Sequence, residues 1–358
     1  MTTVARFEVR LTRYLDEHGL AVAPLPAAYA DPRALIPFYR GMVLTRTFDA
    51  KAVALQRTGQ LGTFASSLGQ EAVGAVAGRL MRPEDVLFPT YREAAAQLAR
   101  GVGMAELFRY WSGDEEGSNF AGPRHDFPVC ITIASQCCHA VGAAMAFKLR
   151  REARVAVCVQ GDGATSKGDF YEAMNAAGAW KLPVVFVVIN NQWAISVPRA
   201  AQTAAQTLAQ KAIAAGIPGE QVDGNDAVAV ADVFGRQLEA ARTGQGPALL
   251  EALSYRLHDH TTADDARRYR GEEEVRHAWA LEPVTRLRAF LTRSGAWSKD
   301  DEEQLLAECN ARVQAAVEDY QRLPPPAPEA MFDHLHAALP DAYAGQRAEA
   351  QREDGGHG

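Results

Sequence analysis

Two short motifs carry the chemistry open to this sequence. Gly161–Asp162–Gly163 follows the apolar run RVAVCVQ (154–160), and Asn190–Asn191 follows a second apolar run, PVVFVVI (183–189). Asp162 offers a carboxylate and Asn191 an amide oxygen. The chain just past Asn191 can add a backbone carbonyl, best placed at Trp193. Hard oxygen donors of this kind suit Mg²⁺, which takes six oxygens and often binds through one or two protein groups together with phosphate oxygens. The two glycines let the backbone approach a diphosphate closely. The start of the following helix adds N–H groups and its dipole, while Asn190 shapes the turn.

Either motif alone is weak: a GDG is ordinarily a turn, and an NN a loop. The order strand–GDG–helix–strand–NN is specific, because residues 164–189 provide one helix and one returning strand. In a doubly wound sheet ligands bind beyond the carboxyl ends of the strands, so the two motifs can face one ligand. That arrangement reads as a site for the diphosphate of thiamine diphosphate and its Mg²⁺. A dinucleotide site competes poorly. Gly161-x-Gly163-x-x-Ser166 lacks the third glycine, and the stretch AWKLPVV holds no acidic residue at the expected distance. No GxxxxGK[ST] phosphate loop occurs.

The elements that must position these residues alternate. Residues 1–30 read as an irregular N-terminal arm, kept extended by Pro24 and Pro26. Asp31 and Pro32 start a helical pattern, and a second helix begins near Ser67. DVLFP (85–89) is a short buried strand, followed by helices over 92–100 and 104–112 and a Gly/Asp/Glu/Pro-rich loop over 113–128 whose length suits a functional role. SQCCHAVGAAMAFKLRR is a helix with Ala and Gly on its packing side. Another helix is expected over 202–215, then DAVAVADVFGRQLEAAR, then the strand PALLEALSY (247–255). Apolar strands alternating with helices predict an α/β fold, a parallel sheet with helices on both faces, with helical segments at both termini. Residues 31–340 form one α/β domain with C-terminal helices, and 341–358 are expected to be a flexible tail.

Composition agrees with an ordinary globular chain: 358 residues, 47% hydrophobic and 23% charged. A net charge of −7 argues against nucleic acid as a partner. No apolar run reaches the roughly 18 residues of a membrane helix, and the acidic residues Glu8, Asp16 and Glu17 argue against a transit peptide, so a cytoplasmic location is expected. Cys130, Cys137, Cys138, Cys158 and Cys309 form no CxxC pair and read as buried small side chains.

Over residues 35–340 the chain resembles the α subunit of the heterotetrameric, thiamine-diphosphate-dependent 2-oxo-acid dehydrogenases. The likeness lies in GQEA (69–72), FPTYREA (88–94), GDGATSKGDFYEAMNAAGAWKLP (161–183), NNQWAIS (190–196), VDGND (222–226) and YRLHDHTTADDARRYR (255–270). It implies the thiamine-diphosphate-binding fold. Asp162, Asn191 and the Trp193 carbonyl would hold Mg²⁺, and Gly161, Gly163 and Ala164 would contact the cofactor. Tyr91 and Arg92 would join them, with Arg92 on the diphosphate. Ile133 would support the bent cofactor, Ile131 would flank it and Ile195 would line the pocket. His260 would stand near the reactive carbon as the catalytic residue, ahead of His258. Ser135 and Gln136 match a region that binds a monovalent cation in some relatives, and Thr261 matches a phosphorylated serine.

The resemblance also implies partners: a β subunit in an α2β2 heterotetramer, supplying the other half of the cofactor site, and a lipoyl-bearing acyltransferase that receives the acyl group from a 2-oxo acid. Pyruvate is the expected substrate, on GQLGTF (59–64) and ITIASQCCHAVG (131–142); a branched-chain 2-oxo acid is the runner-up and acetoin third. The family's GRQMP-like loop reads EEGSNFAGPRHDFP (115–128) here, so some substrate contacts differ. Two other classes compete: a non-catalytic scaffold, against which Asp162, Asn191, Arg92 and His260 speak, and an NAD-binding oxidoreductase.

Overall fold

The computed structural model describes residues 1–333 and 335–354. Its centre is a six-stranded sheet, parallel throughout. The strands are β1 (Leu11–Thr12), β2 (Val86–Phe88), β3 (Ala156–Gly161), β4 (Val184–Asn190), β7 (Gly219–Asp223) and β8 (Ala248–Leu253), in the order β1-β7-β8-β4-β3-β2. Between β4 and β7, β5 (Trp193–Ala194) and β6 (Val197–Pro198) form a small antiparallel hairpin.

The helices before β4 are α1 (Ile36–Arg57), α2 (Glu71–Leu80), α3 (Ala94–Arg100), α4 (Met104–Trp111), α5 (Ser135–Arg150) and α6 (Gly168–Trp180). After β6 come α7 (Arg199–Gln202), α8 (Lys211–Ala214), α9 (Ala227–Arg242), α10 (Glu272–Ala280), α11 (Pro283–Arg293), α12 (Lys299–Gln321) and α13 (Asp341–Asp354).

Both faces of the sheet are covered, which explains why β3 and β4 are apolar at nearly every position. Val157, Val159, Val185, Val187 and Ile189 point into one core with α1, α2, α9, α11 and α12. Their alternates Ala156, Cys158, Val184, Phe186 and Val188 point into a second core with α5, α6 and α8. A strand repeats every two residues, so a run without polar positions fits only a strand buried on both sides.

Several boundaries differ from the sequence expectations. The N-terminal arm is not wholly irregular, since Leu11–Thr12 extends the sheet as an edge strand beside Gln221–Val222. The capture is long-range: one carboxylate oxygen of Asp226 accepts from Tyr14 N (2.6 Å) and Leu15 N (2.7 Å). β7 carries one buried residue, Val222, and so shows no apolar run. The helix expected over 202–215 is mostly absent: α7 ends at Gln202, 203–210 is not helical, and only α8 lies within that range. The start at Asp31 is as expected, its carboxylate accepting from Arg33 N at 2.9 Å. The expected flexible tail 341–358 is helical over Asp341–Asp354, where Ala, Glu, Gln and Arg favour helix; residues 355–358 lie outside the described residues. Cys137, Cys158 and Cys309 are buried, but Cys130 is half-buried and Cys138 exposed, contrary to the expectation for all five.

Candidate active site

The register of β3 and β4 brings the two motifs together. Gly161 pairs with Ile189 and Asn190 with Leu253, so the carboxyl ends of the strands lie side by side. One cleft there is lined by Gly161, Asp162, Gly163, Ala164, Asn191, Trp193, Ile195, Tyr91, Arg92, Ile133 and His260.

Asp162 opens a 3-10 turn, Asp162–Ser166, that leads into α6. Its side chain is buried, and burial holds its carboxyl pKa above the ordinary value. Gln202 Nε2 donates to Oδ2 at 2.9 Å. Among the described residues no cationic side chain forms an ion pair with it, so a buried carboxylate is answered only by neutral donors. Asn190 turns away from the cleft and donates to Glu251 Oε1 (2.7 Å), which makes it structural. Asn191 is buried; its Nδ2 donates to Gln70 Oε1 (3.1 Å), and its Oδ1 accepts from Trp193 N (3.3 Å). The Trp193 carbonyl accepts from Arg256 at 3.3 Å, leaving one lone pair for another partner.

The glycines divide their work. A Cβ on Gly161 would meet nothing within 4 Å, so this residue leaves room for a ligand in the cleft. A Cβ on Gly163 would stand 2.7 Å from that of Ala194, so this glycine is needed for packing against the hairpin rather than for ligand approach. The loop and hairpin are strained: Gln192 has φ +74° and Ile195 φ +54°. A β-branched residue in that region costs about 1–3 kcal/mol, and such strain gathers at functional sites.

Two arginines line the same cleft. Arg92 is buried, donating to Ser66 O (2.5 Å) and His260 O (2.8 Å). Arg256 is 1% exposed, donating to Ile195 O (2.7 Å) and Tyr269 Oη (2.9 Å). Neither forms an ion pair with a carboxylate among the described residues. Burial holds both guanidinium pKa values low, that of Arg256 down to about 10. Both guanidiniums lie 3.3 Å from Nδ1 of His260. A guanidinium can only donate, so Nδ1 must accept and the imidazole is neutral with its proton on Nε2. Burial, then Arg92 and Arg256, push its pKa down to about 4.

These groups fit the expected ligands. Two buried, unpaired guanidiniums make an anion site. One carboxylate, one amide oxygen and one backbone oxygen are hard donors too few to enclose a cation, which suits Mg²⁺ completed by phosphate oxygens. Among the described residues no cluster of three His, Cys, Asp or Glu side chains offers a metal site made by the protein alone.

Comparison with known proteins points the same way. Residues 39–329 match the family described as Dehydrogenase E1 component. The chain is 45% identical to the 3-methyl-2-oxobutanoate dehydrogenase subunit alpha of Mycobacterium tuberculosis over 269 residues, 75% of this chain and 73% of the relative. It is 36% identical to the pyruvate dehydrogenase E1 component subunit alpha of Staphylococcus aureus over 345 residues, 96% of this chain and 93% of the relative. The chain belongs to this family, the α subunits of thiamine-diphosphate-dependent 2-oxo-acid dehydrogenases.

Within this E1 α chain, Ile131 falls outside the cleft. It is 57% exposed and lines a separate groove with Tyr110, Trp111 and Pro128. His258 also lies off the cleft; its carbonyl accepts from Arg270 at 3.0 Å. Ile133 and Ile195 line it. Gln70, Thr90, Glu93, Ile189, Ala194 and Arg256 line it too, without having been singled out from sequence. Gln70 and Arg256 stand inside motifs quoted for the resemblance, GQEA and YRLHDHTTADDARRYR, and that was the only signal for them.

Proposed function

We propose that this chain is the α subunit of a cytoplasmic pyruvate dehydrogenase E1 component, binding thiamine diphosphate through Mg²⁺ and working as an α2β2 heterotetramer that passes acetyl groups to a lipoyl-bearing acyltransferase. One observation carries this reading: the buried Asp162 carboxylate, the Asn191 oxygen and two unpaired guanidiniums converge on one cleft at the ends of β3 and β4.

The cofactor, when bound, supplies the stabilised carbanion that decarboxylation of a 2-oxo acid requires. This chain's own residues anchor and orient. Asp162, Asn191 and the Trp193 carbonyl would hold the metal, and Arg92 and Arg256 would hold the diphosphate. His260, neutral at pH 7, would offer its Nε2 proton as a hydrogen-bond donor toward the reacting oxygen. The two carboxylates lining the cleft have other work: Asp162 is kept for the metal, and Glu93 accepts from Thr90 N (2.6 Å) and Thr90 Oγ1. A further acid–base group would come from the β subunit.

A second reading has its own support, in the higher identity to the 3-methyl-2-oxobutanoate dehydrogenase relative. Set against coverage the difference vanishes, because 45% of 269 and 36% of 345 are nearly the same number of identical positions. Co-expression with the β partner and assay on a panel of 2-oxo acids, with a dye as electron acceptor, separates the two. Pyruvate should lead 3-methyl-2-oxobutanoate in kcat/KM by about tenfold or more, the scale on which a pocket discriminates by methyl groups. The reverse order would make this a branched-chain enzyme. Binding of NAD by this chain alone would contradict both.

A further inference from the structure

The GQEA motif has no part in the cofactor anchor described so far, yet its Gln70 touches Asn191. The backbone fixes that placement. Beyond β8 the chain runs between two segments: Ser254 N donates to Asn190 O (2.9 Å) and Arg256 N to Asn191 O (3.3 Å), while Leu257 N donates to Leu68 O (3.1 Å). Gly69, at φ +95°, lies so close to the Tyr255 carbonyl that a Cβ would collide with it. This turn delivers Gln70, 3% exposed, to the Asn191 side chain.

A side-chain amide has an oxygen end and an NH₂ end of nearly the same shape, and only the oxygen can ligate a cation. Trp193 decides which end of Asn191 lies where. Its backbone N–H can only donate, and it stands 3.3 Å from Oδ1. Nδ2 therefore faces Gln70, and Gln70 must answer with its oxygen, 3.1 Å away. We propose that Gln70 is a positioning residue for the metal, holding Asn191 in the one amide orientation that presents Oδ1 rather than NH₂ to Mg²⁺. Gln202 does not share this role, because the carboxylate it contacts on Asp162 has no wrong end. The role of Gln70 rests on the metal and diphosphate reading above.

The test uses the assembled α/β enzyme and reads the Mg²⁺ concentration that half-saturates thiamine diphosphate binding, followed by calorimetry. Gln70→Glu keeps an acceptor facing Nδ2; Gln70→Leu keeps the volume and removes it. Gln70→Glu should stay near the wild-type Mg²⁺ requirement, while Gln70→Leu should raise it about 10–100-fold, the usual effect of losing a group that orients a metal ligand. If Gln70→Leu does not assemble, Gln70→Met makes the same comparison. An unchanged Mg²⁺ requirement in the apolar variant overturns the proposal, as does equal impairment of Gln70→Glu. A wild-type enzyme that binds thiamine diphosphate equally with and without Mg²⁺ would overturn the metal reading itself, and this role with it.

Discussion

Two guanidiniums share a cleft with one imidazole, and among the described residues no carboxylate forms an ion pair with either. Arg92 and Arg256 both face Nδ1 of His260, so the site is built around a neutral histidine with surplus positive charge beside it. The consequence for pH has a definite sign. The His260 pKa falls from 6.5 to about 4 on folding, so between those values the unfolded chain binds the extra proton and the folded chain does not. Stability from this group is present above pH 6.5 and is lost as pH drops toward 4. Asp49, whose carboxyl is pushed up to about 6 by burial, acts in the opposite direction. Comparing wild type with His260→Gln cancels Asp49: in the cofactor-free assembled enzyme, melting temperature should fall less steeply from pH 6.5 to 4 in the variant. Parallel slopes would contradict the assignment. Arg256→Lys keeps the charge but not the fork that reaches Ile195 O and Tyr269 Oη. Loss of one charge-assisted hydrogen bond, worth about 1.5 kcal/mol, should weaken cofactor binding roughly tenfold by titration. Spacing exposed Asp162 and Asn191, because each directly follows an apolar run. Arg256 follows a strand too, but its polar stretch, YRLHDHTTADDARRYR, holds three other arginines, and nothing local marks which guanidinium is buried.

The elements that aim these residues are held by contacts of very unequal visibility in the sequence. β3, β4 and α6 show themselves through apolar runs and a tight turn, and they fix where Asp162 and Asn191 sit. The β5–β6 hairpin is set by the missing Cβ of Gly163, a contact with Ala194 that no periodicity reveals. Gly163→Ala should push the hairpin outward and weaken Mg²⁺-dependent cofactor binding, whereas Gly161→Ala, with open space at that position, should leave melting temperature unchanged in the cofactor-free enzyme. The long segment 113–128 is anchored at its far end by Asp126. Its carboxylate accepts from Leu87 N (2.9 Å) and pairs with Arg100 (2.5 Å), the two side chains being 2% and 4% exposed. Removing one partner of a buried pair leaves the other charge uncompensated, at a cost of about 3–5 kcal/mol. Asp126→Ala should show that loss in chemical denaturation, and a change under 1 kcal/mol would mean that the pair is solvated. Sequence placed the segment as a loop but could not show its anchor, because Arg100 and Asp126 meet only in three dimensions.

At the scale of the whole chain, the parallel sheet with helices on both faces follows from continuous apolar strands separated by helices. The parts that sequence did not show are those made by distant segments meeting: the N-terminal strand drawn in by Asp226, and the weakly apolar β7 beside it. The cleft itself is one-sided. It gathers oxygen donors and arginines that would hold a metal and a diphosphate on the proposed reading, while Ile133 and Ile195, 36% and 57% exposed, leave its apolar edge uncovered. Such an edge suits a cofactor whose other end is held by a second subunit, and the chain alone should show no turnover of any 2-oxo acid. The most direct test is calorimetric titration of thiamine diphosphate into the assembled α/β enzyme, with and without Mg²⁺, for wild type and Asp162→Ala. One cofactor should bind per α chain in wild type only when Mg²⁺ is present, and Asp162→Ala should lose about 100-fold or more in affinity, in line with loss of a metal ligand. Equal affinity in the two proteins would contradict the anchor at Asp162 and Asn191.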